Sequence, residues 1–418
     1  MQTFPEPIDF VRGVLGWRPR RLDLKDEFAA DRGRRARVVF LGGWANVSGE
    51  VSANNDVRRY PILDALRFVF AFWVVMDHYG EFPLFADADT SVPAVWLLSH
   101  SYGTIVCGVP AVMGFFVISG FCIHLPFRNG KSLSVARFYA RRYVRILIPV
   151  AAVIAIYRFS GNQQPLFGAK SIMWSSVLWS LMCEEIYYAV YPMARWCLQR
   201  WGWLPVMSVA FTLAAFTALR HFHRELWADF GAIQTAVILY PVWLLGCFLA
   251  EKSERLTPLS FTPEIWTWRC LAIGGAWSCE MLSFHGGVPY TQTMLWFGIL
   301  AYFWLRKELA YGLNKQPATG LVSAGAWSYS LYLMHVPAMR IYARLRVPNF
   351  GAELNWCLAI GFILGSAYIF YLVVERPSHR LARRLGTAKS PEARSIAQRP
   401  PDTSSFAPRA KSARAASV

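Results

Sequence analysis

Long apolar segments recur through most of the chain, and they constrain its fold more than any other feature. Ten can be distinguished, and most are close to the roughly 17–25 residues that a helix needs to cross a bilayer. Only 17% of the residues are charged, whereas a soluble domain carries about 25%. The sequence therefore predicts an all-α fold, a polytopic membrane helical bundle of about ten transmembrane helices. They are expected at approximately 61–79, 104–124, 143–157, 174–194, 203–219, 233–250, 267–284, 290–305, 322–339 and 354–375.

Polar segments flank this apolar region at both ends. Residues 1–59 are Arg-rich and hold no apolar stretch long enough for a signal sequence. Residues 381–418 are rich in Pro, Ser, Ala and Arg, a composition typical of disorder. We interpret the chain as a basic N-terminal segment (1–59), a membrane domain (60–380) and a disordered tail (381–418).

The net charge is +17, and its distribution distinguishes between two classes of partner. An excess of this size is typical of proteins that bind nucleic acid or anionic lipid. Here Lys and Arg cluster between apolar segments and are more frequent on the side of the two termini, as in cytoplasmic loops. The pattern predicts the lipid bilayer as a partner, no nucleic acid, and both termini in the cytoplasm.

The first apolar segment contains ionisable residues, each of which costs about 2.5–3.5 kcal/mol to insert in a bilayer. Arg67 and His78 are eleven positions apart, so they return to nearly one face of a helix, roughly 16 Å apart along its axis. Asp64 is close enough to Arg67 for an ion pair, whereas Asp77 points about 100° away from His78. These residues predict the wall of a polar cavity. The alternative is a helix-end ion pair with an interfacial histidine.

Two arginines enter the third apolar segment just before Pro149. Arg142 and Arg145 lie near one face of the expected helix, and guanidinium groups bind phosphate through paired hydrogen bonds. The pair therefore indicates a site for a phosphorylated donor at the cytoplasmic mouth. The alternative is charge that only sets the topology.

Two later segments also contain buried ionisable groups. Glu184 and Glu185 lie well inside the fourth segment and point in different directions, which predicts different roles. A glutamate near His78 would orient the imidazole or bind a substrate hydroxyl. The alternative is a salt bridge to Arg67 or Arg142. His335 lies in the ninth segment, two residues before a proline. We found no His, Cys or carboxylate spacing that supports a metal site.

Residues 60–377 contain a series of motifs that resemble, in the same order, those of the membrane acyltransferase family 3. The first helix carries LDALR (63–67), then Val74 and His78, similar to the opening signature of the family. The later motifs that resemble those of the family are GFFVISGF (114–121), RRYVRILIP (141–149), WSLMCEEIYYAVYP (179–192), WSYSLYLMHVP (327–337) and VERP (374–377).

The resemblance implies an integral O-acyltransferase of the bacterial inner membrane. Such enzymes move an acyl group, often acetyl from acetyl-CoA, to a hydroxyl of a carbohydrate or glycan-like acceptor, with acyl-CoA as a substrate and no bound cofactor. Carried over to this chain, His78 would be the general base with Arg67 as its partner. Arg142 and Arg145 would engage the donor, and Glu184 would support the acceptor or the base. The supporting residues of this site would be Asp64, Glu185 and His335.

Other functions remain open from the residues alone. Intramembrane Arg, His and Glu suit a transporter or flippase of an anionic or sugar-linked substrate equally well. A non-catalytic membrane scaffold is the third possibility, against which the ordered motifs argue. Direct transfer beside His78 is the expected mechanism, and an acyl-enzyme on Ser180, Cys183 or His78 is the variant.

Overall fold

The computed structural model describes residues 60–168, 171–175, 177–221 and 231–387. The predicted N-terminal segment 1–59 and the tail from 388 onward lie outside these ranges. Within them the chain is all-α, and no strand occurs. Its helices of seven residues or more are α1 (Pro61–Tyr79), α2 (Pro93–Ile105), α3 (Gly108–His124), α4 (Val135–Phe159), α5 (Trp179–Trp201), α6 (Trp203–Arg220), α7 (Gly231–Lys252), α8 (Thr262–Phe284), α9 (Tyr290–Gly312), α10 (Thr319–Gly325), α11 (Ser328–Arg344), α12 (Ala352–Phe370) and α13 (Arg376–Thr387).

Four helical segments of the described chain are long and apolar enough to cross a membrane. They are Pro93–Phe127, Trp203–Arg220, Gly231–Arg255 and Ala352–Arg384. The predicted all-α fold is therefore confirmed, and four of its helical segments are candidate membrane spans. Each of the ten predicted segments overlaps a helix, but ten spans remain a prediction.

The helix boundaries differ from the prediction at several places. Helix α4 begins at Val135, eight residues before the predicted start of the third segment. The arginines at this end of the segment therefore lie on the helix, namely Arg137, Arg141, Arg142 and Arg145. The segment 322–339 is divided into α10 and α11 near Gly325, which packs directly on the backbone of Asp64 in α1. Helix α13 ends at Thr387, so residues 381–387 of the predicted tail are helical. Hydropathy alone misses these features because packing determines them.

Helix α1 lies at the centre of the bundle and contacts α3, α9, α10 and α11. The helices α6, α8 and α12 lie at the periphery and expose large apolar side chains, such as Leu204, Phe216 and Trp266. In a membrane protein these outward faces contact lipid chains, which are as apolar as leucine. The polar side chains discussed below lie around α1 instead.

Helices α3 and α7 cross at two glycines that face each other. A Cβ atom added at Gly120 would overlap the carbonyl oxygen of Trp243, and one at Gly246 would overlap that of Val117. Small residues permit this close backbone approach, which supplies van der Waals contact between membrane helices. Gly120 and Gly246 therefore have a packing role at this crossing.

We expect Gly246→Ala to lower the free energy of unfolding by about 1–3 kcal/mol, because two backbones must separate to admit one methyl group. The measurement is the thermal unfolding temperature of the purified protein in detergent. Gly361→Ala on α12 is the matched control, since a Cβ there would meet no atom within 4 Å. Equal unfolding temperatures for both variants would contradict the assigned role of the glycine crossing.

Candidate active site

A cavity of about 570 Å³ opens among α1, α3, α4, α5, α11 and α13. Its wall includes five of the predicted site residues, namely Asp64, Arg67, Arg142, Arg145 and Glu184. They come from three separate helices, so the fold brings together side chains that are distant in sequence. We call this space the arginine cavity.

Arg67 is held by two neighbours in the wall of the arginine cavity. Its Nη1 donates to Asp64 Oδ1 at 2.9 Å, and its Nη2 donates to Cys122 Sγ at 2.8 Å. The predicted ion pair is therefore present. Since a guanidinium has five N–H donors, Arg67 retains donor capacity beyond these two contacts.

The two adjacent glutamates of α5 have different surroundings, as their spacing predicts. Glu184 shares the cavity wall with Ser119 and Tyr188, whose hydroxyl oxygens are 2.9 Å apart. Both oxygens of the Glu185 carboxylate are buried, without a hydrogen-bond partner among the described residues. Glu184 is therefore placed to accept a hydrogen bond from a molecule in the cavity.

A polar chain closes the arginine cavity where α12 meets α13. Arg145 Nε donates to His379 Nε2 at 2.9 Å, and His379 Nε2 is 3.4 Å from Glu375 Oε1. Glu375 Oε2 accepts hydrogen bonds from the backbone N and the Oγ of Ser330, at 3.1 and 2.5 Å. A π-helical turn over Tyr371–Glu375 brings this glutamate to the cavity.

Sequence reasoning does not single out His379 as a site residue, because it follows the last apolar segment. The sequence feature that could identify His379 is its spacing of four residues from Glu375, which places both side chains on one helix face. The motif VERP contains Glu375 but not its partner.

His78 lies near the other end of α1 and is partly exposed. Its Nδ1 is 2.9 Å from the carbonyl oxygen of Val74 and 3.6 Å from Asp77 Oδ2. Because a carbonyl can only accept, Nδ1 carries the proton in this contact and Nε2 of the neutral ring keeps a free lone pair. The Asp77 side chain lies against Gly108 of α3, whereas His78 faces α11, which agrees with the predicted angle of about 100° between them. The carboxylate is nevertheless close enough to the imidazole to interact with it.

A second histidine lies against His78. The ring of His335 is edge-on to it, with centroids 5.1 Å apart, and is fully buried. His335 Nδ1 is 2.8 Å from the carbonyl oxygen of Tyr332, so it also donates to the backbone. We call these two residues the histidine pair.

The histidine pair does not line the arginine cavity. Tyr332 connects the two, because its ring contacts both His335 (5.9 Å between centroids) and the cavity. Its hydroxyl is 2.7 Å from Ser180 Oγ and donates to the carbonyl oxygen of Val177 at 3.0 Å. The structure thus brings Arg67 together with Glu184 and Arg142, but not with His78.

The arrangement offers two kinds of chemistry at two ends of one helix. Guanidinium groups at one end bind anions, and a lone-pair imidazole nitrogen at the other can accept a proton. Within the described ranges, no group of three or more His, Cys, Asp or Glu side chains is arranged to hold a metal ion.

Comparison with known proteins points to one class of enzyme. The acyltransferase 3 family model, described as an acyltransferase domain, matches residues 60–375. Acyltransferase MdmB of Streptomyces mycarofaciens is 24% identical, in a match that covers 80% of this chain and 96% of that protein. No solved structure matches the chain.

Proposed function

The chain belongs to the acyltransferase 3 family, and from this premise we propose that it transfers acetyl from acetyl-CoA to a hydroxyl of a carbohydrate or glycan-like acceptor. Family membership supports an acyltransferase of groups other than amino-acyl groups. It also favours an enzyme over the transporter or flippase that the intramembrane charges alone leave open. The proposed location is the bacterial inner membrane, with both termini in the cytoplasm.

The observation that carries this proposal is the spacing of two unlike groups along α1. Guanidinium groups, which bind phosphate, lie in the arginine cavity at Arg67, Arg142 and Arg145. The proposed base, His78, lies eleven residues after Arg67 on the same helix. That separation is about 16 Å along the helix axis, comparable to the reach of the extended pantetheine arm of a CoA thioester. A donor held by its phosphates at one end would present its thioester at the other.

The arm would pass Tyr332, the residue that contacts both the arginine cavity and His335. In the closed arrangement the Tyr332 hydroxyl is held by Ser180 and Val177. We propose that Tyr332 turns aside when the donor enters. The thioester then lies beside His78, on the far side of the aromatic layer formed by Tyr332 and Phe115, whose centroids are 5.7 Å apart.

At His78 the reaction is a direct transfer. Nε2 takes the proton of the acceptor hydroxyl, the oxygen attacks the thioester carbonyl, and a new C–O ester bond replaces the C–S bond. The protonated imidazole returns this proton to the leaving CoA thiolate. Asp77 stabilises the transient imidazolium, since its carboxylate is 3.6 Å from the nitrogen that already carries a proton.

Mass spectrometry of surface glycans from cells with and without the gene tests the donor group and the acceptor class together. We expect loss of the gene to remove the mass of one acetyl group from one glycan. The purified protein in detergent should release free CoA thiol from acetyl-CoA in the presence of that glycan. Unchanged glycan masses, together with substrate uptake into vesicles without thiol release, would support the transporter instead.

A further inference from the structure

A second and wider cavity, of about 860 Å³, adjoins the arginine cavity at the end that carries Arg145. It lies among the segment before α4, α4 itself and α13. The two cavities share lining residues, including Arg142 and Arg383. We call it the basic bowl, and its cationic lining residues are Lys131, Arg137, Arg141, Arg142, Arg145 and Arg383.

The described lining of the basic bowl carries charge of one sign. Among its lining residues in the described part of the chain there is no carboxylate. Glu375 lines only the adjoining arginine cavity, where Ser330 already hydrogen-bonds to it. Like charges gathered in one concavity repel each other and attract a multiply charged anion. Guanidinium-rich pockets of this kind bind phosphate groups.

One wall of the basic bowl lies outside the part of the chain that the family model matches. That match ends at residue 375, and α13 begins at Arg376. Helix α13 packs against α4 and buries Ala382, while Arg383 faces the bowl. Arg380, one turn earlier on α13, is exposed and does not line the bowl.

We propose that the basic bowl binds the phosphomonoester at the nucleotide end of the donor, the 3′-phosphate of CoA, and that Arg383 determines this specificity. The inference rests on the proposed function. In this arrangement Arg142 and Arg145, at the junction of the two cavities, bind the pyrophosphate, while Arg383 and Arg137 bind the terminal phosphate. The volume of the bowl is in the range of pockets that hold molecules of nucleotide size.

Binding of CoA and of 3′-dephospho-CoA to the purified full-length protein in nanodiscs of neutral lipid tests this assignment. We expect the wild type to bind CoA at least about 10-fold more tightly than 3′-dephospho-CoA, as a charge-assisted hydrogen bond predicts. Arg383→Gln should weaken CoA binding about 10-fold and leave 3′-dephospho-CoA unchanged. Arg137→Gln, on α4, should act in the same direction.

Arg380→Gln is the matched control, because it removes the same charge from the same helix outside the bowl. Equal affinities of the wild type for the two nucleotides would overturn the proposal, as would equal weakening of both by Arg383→Gln. An anionic lipid headgroup has the same phosphate chemistry. If phosphatidylglycerol in the nanodisc weakened CoA binding to the wild type but not to Arg383→Gln, the bowl would be a lipid site and the assignment would be wrong.

These outcomes are separable from a failure of the proposed function. A protein that transfers acetyl from acetyl-CoA and from its 3′-dephospho form with equal KM would refute only the role of the bowl. A protein that transfers from neither donor and binds neither nucleotide would refute both.

Discussion

Replacing His78 with alanine is expected to lower acyl transfer by about 10²- to 10⁴-fold, the usual contribution of a general base. The loss should appear in kcat, because the base acts only when the acceptor hydroxyl is deprotonated. Binding of acetyl-CoA should change little, since His78 does not line the arginine cavity. Steady-state kinetics and equilibrium binding of CoA on the same preparation provide the two readouts.

The matched control is His285→Ala, which removes an exposed imidazole beyond the end of α8. It should leave both kcat and CoA binding unchanged. Retained turnover in His78→Ala would reject the role of His78 as base. Loss of CoA binding together with turnover would instead indicate that the substitution disturbs the bundle, which the thermal unfolding temperature would show independently.

The sequence predicts most accurately those features that depend on local pattern. The sequence predicts helix α1 at 61–79 and the helix is found at Pro61–Tyr79, because a proline at its start and Gly80 at its end delimit the first apolar segment. The ion pair between Asp64 and Arg67 follows from their three-residue spacing. The grouping of Arg67, Arg142 and Glu184 around one cavity follows from the energetic cost of exposing them to lipid.

Hydropathy and helical periodicity do not predict contacts between segments that are distant in sequence. Helical periodicity puts Arg67 and His78 on one face, but it does not show that Tyr332 and Phe115 separate their surroundings. The contact between Arg145 and His379 joins residues 234 positions apart. The approach of the Asp77 carboxylate to His78 is not predicted by the helix angle between them, because that angle does not fix the position of a carboxylate that has its own rotatable bonds.

Replacing Arg67 with glutamine is expected to have the second largest effect, through two separable causes. The substitution removes one cationic partner of the partly buried Asp64 carboxylate, which should cost about 1–3 kcal/mol of stability, between the values for exposed and buried pairs. If Arg67 also engages the donor, kcat/KM for acetyl-CoA should fall about 10²-fold, as for the loss of one charged donor to a reacting ligand.

The double variant Asp64→Asn/Arg67→Gln separates the two causes. Removing both charges deletes the carboxylate together with its Arg67 partner, so the thermal unfolding temperature should lie closer to that of the wild type than it does in Arg67→Gln alone. Transfer should remain low, because the guanidinium that faces the arginine cavity is still absent. If transfer recovered along with stability, Arg67 would be only half of a structural ion pair, and Arg142 and Arg145 would be the arginines that hold the donor.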